Sequence, residues 1–143
     1  MINIAIACDH AGFLLKKRII DYLIEKGLEV NDFGTDSELS TDYPDYAHPL
    51  AESVASGDNL LGILICGSGN GVCMTANKHS HIRAALCWNE ELASLARKHN
   101  NANVICLPSR FIDEETALKI VESFLSSDFE GGRHQKRVDK ISC

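Results

Sequence analysis

No stretch of this 143-residue sequence approaches the roughly 20 apolar residues that a membrane-spanning helix needs. No basic n-region precedes an apolar segment at the start, and no small-residue cleavage site follows one. Met1 leads straight into Ile2-Asn3-Ile4-Ala5-Ile6-Ala7, which reads as a first strand and not as a leader, so the expected compartment is the cytoplasm. The six cysteines, Cys8, Cys66, Cys73, Cys87, Cys106 and Cys143, contain no C-x-x-C pair. That spacing offers neither a redox motif nor a zinc template, and four of the cysteines end apolar runs, so free thiols are expected and no metal. Positive charge is not in excess: the formal net charge is −6, which argues against a nucleic-acid surface. The exception is a basic cluster in the tail, Arg133-His134-Gln135-Lys136-Arg137. Internal repeats, low-complexity segments and domain linkers are absent too. A hydrophobic fraction of 45% over this length fits one domain, residues 1–143, with one core.

What is present is an alternation of buried runs and helical stripes. Strands are expected at 2–7, 28–33, 60–65, 82–87 and 104–107. Between them, Leu15, Ile19, Ile20, Leu23 and Ile24 form the apolar stripe of a helix over 11–26, ending near Gly27. Pro44 suits the first turn of a helix running to about Ser56. Further helices are expected from the glycine cluster to about His79, from an Asn89 N-cap to His99, and from Asp113 to about Ser126, with a short basic helix in the tail. The pattern predicts a three-layer α/β/α, Rossmann-like fold: a five-stranded parallel sheet with helices on both faces and right-handed crossovers. Ligands of such sheets sit beyond the C-terminal strand ends. Here those ends carry Asp9-His10, the loop Cys66 to Gly71, and Pro108-Ser109-Arg110.

The segment Ile63-Leu64-Ile65-Cys66-Gly67-Ser68-Gly69-Asn70-Gly71 runs a buried strand into three glycines at alternate positions and then a helix. Glycine permits the turn and lets backbone N–H groups converge on an anion, and a helix N-terminus adds its dipole. The same field would favour a thiolate at Cys66. A tight turn with an inert cysteine is the plainer reading. Three phosphate motifs do not fit. A dinucleotide fingerprint requires glycine where Val72 stands, a nucleoside-triphosphate loop requires Lys-Ser or Lys-Thr after the glycines, and a cysteine phosphatase loop requires an arginine six residues after its cysteine, where Val72 and Leu14 are found.

Taken together, Cys8-Asp9-His10-Ala11-Gly12, Thr41-Asp42-Tyr43-Pro44, Cys66 to Gly71 with Ala76-Asn77-Lys78, His99-Asn100 with Asn103-Val104, and Gly131-Gly132-Arg133-His134-Gln135-Lys136-Arg137 resemble the type B ribose-5-phosphate isomerases. That family also includes allose- and galactose-phosphate isomerases. The resemblance spans nearly the whole chain. Some members use a cysteine before the glycine loop as base, others a glutamate just after it. Cys66 and Val72 make this chain similar to the cysteine type.

The resemblance implies an aldose–ketose isomerase that passes through an enediolate and needs no metal or organic cofactor. Cys66 would be the base, and the N–H groups of Gly67, Ser68, Gly69, Asn70 and Gly71 the enediolate pocket. His99 would open the furanose ring, where otherwise a histidine at a helix C-terminus simply faces the dipole. Asn100 and Asp9 would hold sugar hydroxyls, although Asp9 also suits a helix cap. His10, Arg110, Arg133 and Arg137 would bind phosphate or sugar. Arg133 and Arg137, four apart, share a helix face, as a solvated basic tail would also have it. Tyr43 either lines the pocket or packs under the Pro44 turn. His48, His79, His81 and His134 are expected to be structural, and Cys73, Cys87 and Cys106 to be buried apolar groups. The implied partners are a phosphorylated sugar and further copies of the chain, as a homodimer or a dimer of dimers with shared sites. Neither a nucleic acid nor a membrane is implied. A hexose phosphate substrate, or a non-catalytic sugar-phosphate-binding subunit, remains the alternative.

Overall fold

A computed structural model describes residues 2–143. Its strands are β1 (Asn3–Cys8), β2 (Glu29–Asp32), β3 (Leu61–Cys66), β4 (Ala84–Leu86) and β5 (Val104–Pro108). Its helices are α1 (Phe13–Glu25), α2 (Pro44–Ala55), α3 (Asn70–Ala76), α4 (Glu90–Asn100), α5 (Glu114–Ser126) and α6 (Arg133–Asp139). The strands form one parallel sheet in the order β2-β1-β3-β5-β4. Each expected strand and helix is present, and the three-layer α/β/α reading holds. No helix among the described residues is long and apolar enough to cross a membrane.

The two faces of the sheet are built from residues of different size. Ile4, Ile6, Ile63, Ile65, Ile105 and Leu107 point toward α1, α4 and α5, where they meet Ile19, Leu23, Ala96, Ile120 and Phe124. The opposite face alternates smaller groups, Ala5, Ala7, Cys66 and Cys106, under α2 and α3. Gly62 belongs to this thinner layer: a Cβ there would lie 2.7 Å from Leu50 Cδ2, so α2 lies close against β3. Burial on both faces explains why the strands read as continuous apolar runs.

Two boundaries differ from the sequence pattern. The first helix is preceded by a 3-10 turn over His10–Gly12, and the Asp9 carboxylate accepts from the Ala11 N–H at 2.9 Å. The fourth strand is three residues long and not six. His81 takes a left-handed φ of 69°, which breaks the extended run before it starts. On this edge strand the Asn77 side chain pairs with both backbone groups of Ala84, accepting from its N–H at 2.8 Å and donating to its carbonyl at 2.9 Å. A side chain thus fills the place of a sixth strand.

Lys16 stands outside the apolar stripe of its helix, yet it is 1% exposed. Its ammonium donates to Asp32 Oδ1 at 2.6 Å and to the Thr35 carbonyl at 2.5 Å, tying α1 to the end of β2. Lys16→Met would keep most of the packing and remove both bonds. It is expected to lower the free energy of unfolding by about 2 kcal/mol, the usual worth of hydrogen bonds to a charged group. A shifted urea midpoint at constant slope measures this; an unchanged midpoint would show that the buried ammonium adds nothing.

Candidate active site

From β1 the chain runs to β2 on one side, and β3 lies on the other. The crevice beyond β1 and β3 is therefore the switch point at which parallel sheets hold ligands. The Asp9 N–H donates to the Ile65 carbonyl at 3.2 Å, holding the two strand exits together. Ser109 extends this clamp to β5. Its N–H donates to the Cys66 carbonyl at 2.9 Å, and its hydroxyl donates to the carbonyls of Ala11 at 2.9 Å and Cys66 at 3.1 Å. The Arg110 N–H then donates to the Gly67 carbonyl at 3.0 Å. Cys66 and the loop after it are thus fixed by backbone contacts that do not depend on the cysteine side chain.

Each glycine of the loop has its own reason. Gly69 is left-handed, with φ 75°, and a Cβ there would lie 2.4 Å from Leu86 Cδ1. At Gly67 a Cβ would stand 3.0 Å from Arg110 Nη1, and at Gly71 it would stand 2.6 Å from the Tyr43 ring. Two of the three glycines therefore admit neighbouring side chains to the loop, a role that their spacing alone did not convey. Tyr43 reaches the loop itself, its ring lying against Gly71.

These elements enclose a cleft of about 590 Å³ where Asp9, Tyr43, Cys66, Ser68, Asn70 and Arg110 meet, with Gly67 and Gly71 in its wall. Met74 and Phe111 also line it, 67% and 75% exposed, and sequence reasoning singled out neither. Cys66 is 5% exposed, and Val72 is buried in the core beneath α3. Burial pushes the Cys8 thiol up to about 11 and the Cys87 thiol up to about 12, and holds Cys106 well above its ordinary range. Cys73 moves the other way, chiefly through its hydrogen bond with Cys106. All six cysteines are free thiols, as expected.

The remaining predicted residues lie elsewhere. His10 is a neighbour in sequence of Asp9, but its Nδ1 accepts from the Thr41 N–H at 3.2 Å and it does not line the cleft. His99 and Asn100 end α4, and Arg133 and Arg137 are on α6; none of the four lines the cleft. They belong to a second group, where α6 packs on α4. There His99 and His134 stack with ring centroids 4.2 Å apart and planes 11° from parallel. Glu130 Oε1 lies 3.7 Å from His99 Nε2 and 3.5 Å from His134 Nε2. A cation cannot lie in the planes of two rings stacked in this way, so the trio as built is not a metal centre. His134 is 8% exposed, and burial, followed by the charges of His99 and Arg133, holds it below the usual imidazole range.

Fold and cleft together define a three-layer α/β/α protein with a cleft at its strand exits. The family model described as Ribose/Galactose Isomerase matches residues 4–141. The "Probable ribose-5-phosphate isomerase B" of Mycoplasma genitalium is 52% identical over 141 residues, which cover 97% of this chain and 93% of that protein. The crystal structure of a ribose 5-phosphate isomerase from Thermotoga maritima superposes with a TM-score of 0.96 at 52% identity, covering 98% of this chain and 97% of that one. A structure of ribose-5-phosphate isomerase B from Mycoplasma genitalium with bound ribulose-5-phosphate gives a TM-score of 0.94 at 50% identity, over 98% and 93% of the two chains. This chain belongs to the ribose/galactose isomerase family, and it is an isomerase.

Proposed function

We propose that the chain interconverts ribose 5-phosphate and ribulose 5-phosphate through an enediolate. The observation that carries this reading is a buried thiol, Cys66, opening a glycine loop in the cleft that Asp9, Tyr43 and Arg110 share. The relative solved with ribulose-5-phosphate supports the choice of a pentose phosphate. Cys66 takes the proton from the carbon beside the carbonyl and returns it to the neighbouring carbon. The N–H groups of residues 67–71 meet the charge that develops on the substrate oxygens, each such donor being worth about 3 kcal/mol in the transition state. His99 moves the proton that opens the furanose ring, Asp9 and Asn100 hold sugar hydroxyls, and His10, Arg110, Arg133 and Arg137 take the phosphate and its neighbouring oxygens.

The separation of the cleft from the His99 and α6 group supports a site shared between two copies of the chain. Cys66 of one copy then works with His99 of the other, in a homodimer or a dimer of dimers. The chemistry calls for no metal or organic cofactor.

The direct test is an assay with ribose 5-phosphate, allose 6-phosphate and galactose 6-phosphate in parallel. The pentose phosphate should have the highest kcat/KM. A higher value for either hexose phosphate would overturn the substrate assignment, and no turnover of any would overturn the enzymatic one. Arg137→Ala tests the phosphate grip. Inorganic phosphate and substrate should lose affinity together, by roughly ten- to a hundredfold, since charge-assisted hydrogen bonds contribute about 1.5–3 kcal/mol. Unchanged phosphate inhibition would return α6 to the role of a solvated basic helix.

A further inference from the structure

Glu130 lies in the segment between α5 and α6, in no motif that the sequence reading used. Its N–H donates to the Lys98 carbonyl at 3.0 Å, which anchors its backbone at the C-terminal turn of α4. From there one carboxylate oxygen faces Nε2 of both His99, at 3.7 Å, and His134, at 3.5 Å. The His134 side chain is 11% exposed and that of His99 is 38% exposed, so the inner ring backs the outer one. Two imidazolium rings stacked at 4.2 Å would repel each other, and a single carboxylate compensates one of them.

We propose that Glu130 and His134 are positioning residues for His99 in ring opening. This rests on the reading of His99 as the ring-opening group. In that step the anomeric hydroxyl gives up its proton, the bond from C1 to the ring oxygen breaks, and the ring oxygen gains a proton. His99 must therefore accept one proton and deliver one, with its ring held in place throughout. The stack fixes the plane of the imidazole. The carboxylate stabilises the imidazolium while it exists. Neither Glu130 nor His134 needs to touch the sugar.

The substrate pair supplies its own control. Ribulose 5-phosphate has no furanose ring, because the hydroxyl that would close it carries the phosphate. Exchange of its C1 hydrogen with solvent deuterium needs the base and the enediolate pocket but no ring opening. Ribose 5-phosphate turnover needs all three. For full-length Glu130→Gln and His134→Phe, kcat on ribose 5-phosphate should fall roughly tenfold, a fraction of what a general acid–base group contributes. Deuterium exchange into ribulose 5-phosphate should stay within about twofold of the unaltered protein. Glu130→Asp should recover part of the loss. Equal loss of both reactions would make the two residues merely structural, and loss of neither would remove them from the mechanism; each result overturns the proposal. His99→Asn separates the proposal from the reading beneath it. If it shows the split while Glu130→Gln and His134→Phe do not, ring opening by His99 stands without these partners. If His99→Asn shows no split, the reading of His99 fails as well.

Discussion

Cys66→Ala is expected to abolish isomerisation and to leave a folded protein that still binds inorganic phosphate. The backbone of Cys66 is held by the N–H and hydroxyl of Ser109, and the glycine loop after it by the Arg110 N–H and the fit of Tyr43. None of these contacts uses the thiol. Deleting one buried sulfur costs a core about 1 kcal/mol, so any loss of activity beyond that belongs to the chemistry. A general base contributes roughly a hundred- to ten-thousandfold, and no other side chain of the cleft replaces it at the same point. Asp9 accepts the Ala11 N–H, and Val72, just after the loop, offers no carboxylate. Incorporation of solvent deuterium at the carbon beside the carbonyl reads the proton transfer directly. Exchange near the level of the unaltered protein would remove Cys66 from the mechanism.

Two inactive proteins are expected to regain activity when mixed within one assembly. Cys66→Ala and His99→Ala would each remove one half of the site proposed to be divided between two copies. In a mixed dimer one site carries both defects and the other carries neither. With even mixing half the dimers are mixed, and half of their sites are intact, so activity should return to about a quarter of that of the unaltered protein. The motive is geometric: Cys66 lines the cleft, whereas His99 stands with His134 and Glu130 outside it. If one chain supplied both residues, each site would keep one defect and co-expression would restore nothing. Mixed dimers confirmed by mass, with no recovered turnover, would dismiss the shared site without touching the family assignment.

Much of this molecule was legible before its structure. Buried runs and amphipathic stripes are local signals, and they located each strand and helix. They also put Asp9, Cys66 and Arg110 at strand exits, which is enough to bring them together in a parallel sheet. Strand order was not legible, because β4 pairs outside β5 through contacts that no local pattern records. Burial of Lys16 was hidden for a related reason: its partners are at positions 32 and 35, beyond the helix that it belongs to. No local pattern marks His134 or Glu130. Their meeting with His99 depends on how α6 lies on α4, a packing outcome without a motif.

The fit of Arg110 over Gly67, and of the Tyr43 ring over Gly71, bears on how such a pocket can evolve. A side chain added at 67 must press the arginine aside by a few tenths of an ångström, and one added at 71 must displace the tyrosine ring. The reverse changes, losing Arg110 or Tyr43 first, open space beside the loop but leave it without its neighbours. Each route passes through an impaired intermediate, so these positions should drift as pairs. A mutant library that varies 67 with 110, and 71 with 43, should reach functional pockets that libraries varying one position at a time do not.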